Sequence, residues 1–159
     1  MSDALLDALR RQLAARLPGL ARANAGAGLR AAVDAIYGAI TLRLDWDAEA
    51  ASIRIAVHLP LPPGGGHELL VWCLATNTQY WDVKLGLDDD GLLVAHADVD
   101  ADAGVDAALL AERLADRADT IRELVDEDLV PHLLARGLGT PAQRARWRER
   151  MAALRDTAL

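Results

Sequence analysis

The sequence predicts an α+β fold, an antiparallel sheet of about five strands packed by an N-terminal helix, a short middle helix and a long C-terminal helix. Three observations carry this. Two runs of strict alternation, Ile40 to Trp46 and Ile53 to Leu59, place apolar and polar side chains on opposite faces. A second strand–turn–strand pattern passes through Asp88-Asp89-Asp90-Gly91, and Asp-Gly is a strong tight-turn pair. Leucines at three- and four-residue spacing near each end mark two amphipathic helices. Hairpins bordered by helices, instead of strands alternating one by one with helices, point to α+β layers.

Taken in order, residues 3–23 read as a helix with Leu5, Leu6, Leu9, Leu13, Leu17 and Leu20 on one stripe. Pro18 interrupts its last turn, and residues 24–28 are a loop. Residues 29–37 fit either a short helix or a weak strand. Residues 40–46 and 53–59 are two strands joined over a hairpin-length connection. Pro60, Pro62, Pro63 and the three glycines 64–66 break the chain. The block Leu69 to Leu74 is apolar throughout, so periodicity leaves a buried helix and a central strand both open. Trp81 to Leu87 and Leu92 to Val99 form the second hairpin. A long helix follows from Asp106, its candidate N-cap, to about Ala135. Its stripe is Leu109, Leu110, Leu114, Ile121, Leu124, Val125 and Leu129, and Pro131 is expected to kink or end it. A final helix, 142–154, carries Arg144, Arg146, Arg148 and Arg150, with Trp147, Met151 and Leu154 as its apolar anchors. The expected organisation is one domain over 1–136 and a helical appendage over 137–159.

Composition bounds the function. The 159 residues are about one domain's worth, with 52% hydrophobic and 26% charged residues, a globular balance. Aromatics are 4% with no Phe, so Leu, Val, Ile and Ala must build the core. A net charge of −7 argues against nucleic acid as partner. No apolar run approaches the ~20 residues of a membrane span, and the start at Ser2-Asp3 is not a basic leader. A lone cysteine, Cys73, forms no internal disulfide and suits a reducing, cytoplasmic setting. Charge is uneven: residues 82–128 hold fifteen acidic groups against four basic ones, a net of −11, while 1–30 carry +3 and 129–159 carry +4. Such an acidic waist is a well-solvated surface, steers a basic partner, or draws the basic ends back onto the middle; the sequence leaves all three open, the first being the commonest outcome.

Catalytic and metal chemistry find little support. His58, His67, His96 and His132 have no zinc-motif spacing. Cys73 sits in an apolar block, unlike a reactive thiol. Asp98, Asp100 and Asp102 start like a calcium loop, but Ala103 and Leu109 occupy the positions that need Gly and a bidentate Glu. No nucleophile elbow, phosphate loop or dinucleotide fingerprint occurs, so no cofactor is expected.

The stretch Leu69 to Val99 resembles the YbjN and type III secretion chaperone-like proteins. The pieces that carry the resemblance are Leu69-Leu70-Val71-Trp72-Cys73-Leu74, then Asn77, then Val83 to Gly91 with its Asp-rich turn, then the return strand Leu92 to Val99. It spans roughly residues 1–136 and leaves the last helix outside. It implies a short helix over Glu68–Asn77. It further implies a non-enzymatic homodimer that holds an extended protein client. Peptide-binding or dimer-interface candidates are then Ile53, Ile55, Val57, Leu59, Trp72, Trp81, Val83 and Leu85. The competing expectation is a small ligand-binding or enzymatic domain with a polar cleft around His58, His96 and the acidic waist. A third is a regulatory domain whose basic tail docks on a partner.

Overall fold

Alternation of small and branched apolar residues with polar ones builds one six-stranded antiparallel sheet, of order β1-β2-β3-β4-β6-β5. The computed structural model describes residues 3–17, 19–22, 28–62, 66–101 and 104–157. In chain order these form α1 (Asp3–Leu13), β1 (Ala21–Arg22), β2 (Leu29–Ala35), β3 (Gly38–Asp47), β4 (Ser52–Leu59), α2 (Gly66–Thr76), β5 (Lys84–Leu87) and β6 (Leu93–Asp100). Then come α3 (Ala107–Glu123), a π-helical turn (Leu124–Leu129), α4 (Val130–Ala135) and α5 (Pro141–Thr157). The α+β expectation holds. Of residues 29–37, Leu29–Ala35 form a strand and 36–37 its turn into β3, and a two-residue edge strand stands inside the span expected to be helix 3–23.

α1 ends at Leu13, well before Pro18, which itself lies outside the described residues. One further turn follows, with Leu17 N–H donating to Leu13 O at 2.8 Å, so Leu17 still reaches the core. Gly19 at φ +80° then redirects the chain toward the sheet.

Two turns are built by aspartate. Asp47 Oδ1 accepts from the N–H groups of Glu49 and Ala50 between β3 and β4. Asp88 Oδ1 accepts from those of Asp90 and Leu92 between β5 and β6, where Gly91 takes φ +76°. Asn77, just past α2, bridges Leu85 like an extra strand: its Nδ2 donates to Leu85 O at 2.9 Å and its Oδ1 accepts from Leu85 N–H at 2.7 Å. β5 therefore begins only at Lys84, and Trp81 stands outside it.

One face of the sheet is covered. Ile40, Leu42 and Leu44 of β3, Ile53, Ile55, Val57 and Leu59 of β4, and Leu93, Ala95, Ala97 and Val99 of β6 are buried. α3 packs across β4 and β6, and α1 packs on α3. Leu110, Leu114, Ile121, Leu124, Val125 and Leu129 form the helical side of this core, but Leu109 is exposed and falls off the expected stripe. Asp106 does occupy the N-cap position of α3, with no side-chain cap bond. The helix runs on through Pro131. The π turn before it pairs Val130 N–H with Val125 O, and this wider register relieves the clash a proline imposes on the preceding turn.

α5 is held mainly by polar contacts, which corrects the expectation of apolar anchors. Gln143 is buried and its Nε2 donates to Tyr37 O at 3.0 Å. Arg146 donates to Ala35 O and pairs with Asp34, and Arg150 pairs with Glu127. At the other end Arg16 pairs with Asp116 and Asp119 of α3. The basic ends thus meet acidic residues of the same chain.

Candidate interaction surface

α2 is apolar on both sides. Leu69, Cys73 and Thr76 face inward at helical spacing and are buried. Trp72 is half-buried and stacks on His132 with ring centroids 4.6 Å apart. Leu70, Val71 and Leu74 face outward at 36, 52 and 68% exposure, and Trp81, in the connection to β5, reaches 89%. An ordinary surface helix turns a polar face to water, so an uncovered apolar face marks a place where another surface packs.

Of the eight candidate residues, the structure brings only part to this surface. Ile53, Ile55, Val57 and Leu59 are core residues of the single chain, beneath α3, and Val83 and Leu85 are buried as well. In the folded chain these six side chains are covered, four of them on the sheet face beneath α3. Trp72 and Trp81 remain. Leu70, Val71 and Leu74 were missed as surface residues, although their signal was present: a block apolar all round is either buried all round or partnered.

Electrostatics set the ends of α2. Glu68 pairs with Arg136, and Tyr80 O–H donates to the Asp128 carboxylate. Burial and that partner push Tyr80 up to about 12. Burial pushes the Cys73 thiol up to about 11, so it is uncharged at neutral pH. Burial, followed by the nearby Arg136 charge, holds His132 below its ordinary value.

The opposite sheet face is polar and uncovered by these helices. It carries Arg30, Arg43, Arg54, His58, Lys84 and His96, interleaved with Asp45 and Asp98. His58 and His96 therefore come together there, whereas His67 lies exposed on α2. Among the described residues no group of three or more His, Cys, Asp or Glu could hold a metal ion, and no helix is long and apolar enough to cross a membrane.

An N-terminal helix, a meander, a short helix, a hairpin and a long helix closing over one face together define an α+β fold that YbjN and the chains of two protein complexes share. A family model for YbjN, described as "Putative bacterial sensory transduction regulator", matches residues 6–129. The chain belongs to the YbjN family. The crystal structure of YbjN from E. coli is similar, with a TM-score of 0.62 and 20% identity over 86% of this chain and 96% of that one. A chain of the ExsC–ExsE complex reaches 0.56 at 18% identity, over 78% of this chain and 92% of its own. A chain of the HopA1–SchA chaperone–effector complex reaches 0.51 at 19%, over 75% and 88%. No curated protein matches the chain.

Proposed function

We propose that this protein is a non-catalytic, cytoplasmic protein-binding module that works as a homodimer holding an extended client segment. The observation that carries the reading is the uncovered apolar face of α2, Leu70, Val71 and Leu74, with Trp81 beyond it. Its occupant is a second copy of the chain. A two-fold interface sets a patch against itself, so an apolar patch with no charge at its centre is self-complementary. The domain that dimerises is 1–136, with 137–159 an appendage pinned to its sheet edge.

The client adds along β2, the edge whose Ala35 end α5 holds. β1 pairs only with Leu29 and Arg30, and Arg146 of α5 bonds Ala35 O, so residues 31–34 have no strand on their outer side among the described residues. An extended segment hydrogen-bonds to such an edge. A basic client suits the acidic middle of the chain. Similarity in fold to chains of the ExsC–ExsE and HopA1–SchA complexes, the latter a chaperone with its effector, supports this reading.

Light scattering across a concentration series tests the dimer. The wild-type chain should have twice the monomer mass, and Leu74→Glu combined with Trp81→Glu should halve it. A wild-type monomer at every concentration removes the dimer. An array of defined basic, unstructured peptides tests the client, and failure to retain any of them removes that part.

A further inference from the structure

The polar sheet face carries a built hollow that the protein-binding role does not use. It has a volume of about 350 Å3, and Ala56 forms its floor. Register sets its walls. Ala56 stands opposite Arg43 on β3 and opposite His96 on β6, while Arg54 and His58 flank it along β4 on the same face. A small residue ringed by four long polar ones leaves a pit.

Two independent features show that the pit lacks a partner. First, Arg43 Nε, His58 Nδ1 and His96 Nδ1 are buried and make no hydrogen bond, although buried polar atoms are nearly always paired. The Asp98 Oδ2 that stands 4.0 Å from His96 Nδ1 is beyond hydrogen-bond reach and serves Arg54 instead. Second, Arg43 lies directly opposite Arg30 on β2, and like charges so placed destabilise a ladder. The Arg43–Asp45 approach, at 3.6 Å, only partly offsets this. An adjoining hollow of about 390 Å3 contains Arg30 and Asp90 and shares Arg43, His58 and Asp88.

We propose that this face binds a small molecule bearing one oxyanion group, a carboxylate or a phosphate, seated between Arg43 and Arg30 with its body over Ala56. The Arg43 guanidinium is partly exposed at the hollow and can only donate, so the group it meets there is an acceptor oxygen. The two imidazoles then meet the body of the ligand. Burial, with the nearby Arg54 and Lys84, holds His96 below its ordinary value, so it is neutral there, with one donor and one acceptor nitrogen. Asp45 and Asp88 on the rim set the limit of one anionic group, since a polyphosphate would meet two carboxylates.

The test is an NMR titration of the whole chain at constant ionic strength, with inorganic phosphate and separately with butyrate, a monocarboxylate. Saturable shifts of the His58 and His96 imidazole signals and of the Ala56 amide are expected with at least one of them. The anion that saturates at lower concentration identifies the group. Arg43→Met should weaken binding about tenfold or more by removing a charge-assisted donor. Ala56→Leu should abolish binding by filling the floor without altering charge. Arg148→Ala, on exposed α5, should leave it unchanged. Absence of saturation with both anions, or affinity unaltered in Arg43→Met or in Ala56→Leu, overturns the proposal.

Discussion

α1 and α2 are both eleven residues long, and they solve the same problem differently. α1 buries Leu6, Leu9 and Leu13 and turns Arg10, Arg11 and Gln12 to water. These leucines are used by the fold of one chain, with Leu5 half-buried against the same core. α2 buries Leu69 and Cys73 on one side and still presents Leu70, Val71 and Leu74 on the other. Folding alone leaves this second face in water, where its apolar area contributes nothing to stability. A helix of the first kind belongs to the core, whereas one of the second kind belongs, on the proposed function, partly to a second copy of the chain.

The sharpest way to break that contrast is to truncate leucines on each side. Leu9→Ala in α1 and Leu69→Ala in α2 should each lose about 2–5 kcal/mol, because both side chains are fully buried and leave cavities. Leu74→Ser should change the stability of the single chain by less than about 0.5 kcal/mol, as exposed substitutions do. Urea melts at a concentration too low for association measure all three. A loss at Leu74 comparable with that at Leu69 would mean that the outer face of α2 is covered within the chain.

Next in size is the tie between α2 and the sheet. Asn77→Ala removes both bonds to Leu85 and leaves a part-buried N–H and C=O unmatched, a loss of about 1–3 kcal/mol. Hydrogen exchange should therefore show the α2–β5 region of the variant opening while α1 keeps its protection; equal loosening of both would erase the distinction.

How much of this was legible follows from the same contrast. Alternation in Ile40–Trp46 and Ile53–Leu59 marked strands correctly, because a strand half in water writes its period into the chain. The same alternation could not say whether the apolar half faced a helix or a client, so Ile53 to Leu59 passed for a binding surface until α3 was seen to cover them. The block Leu69–Leu74 carries no period at all, and its helical state came from resemblance rather than pattern. That absence of period was itself the trace of the outer face. The pit around Ala56 could not be read from one strand, since its walls come from β3, β4 and β6 and depend on register.

A smaller effect separates the two helices by pH. His132 stacks on Trp72 of α2, with Arg136 and Glu68 the charged groups nearby. Its folded value lies below the unfolded one near 6.5, so the unfolded chain binds the proton more readily. Its contribution is fully present above that pH and is lost as pH falls toward the folded value. Acidification from neutral should thus weaken α2 docking before it touches α1. NMR signals of Leu69 and Trp72 should shift before those of Leu6 and Leu9, and His132→Gln should bring the two helices back into step.

The smallest expected difference concerns the charges that follow or open each helix. Arg16, one turn past α1, reaches Asp116 and Asp119 of α3, and Glu68, in the first turn of α2, reaches Arg136. Both sets are exposed, where pairing is offset by the entropy of holding long side chains and is screened by salt. Arg16→Ala and Glu68→Ala should each lower the melting temperature slightly in dilute buffer, and both shifts should vanish in molar salt. Any decrease that persists in molar salt at Arg16 alone would show that its methylene stem, not its charge, packs against α3. α1 would then be anchored by apolar contact beyond its own last residue, and the two helices would differ even at their ends.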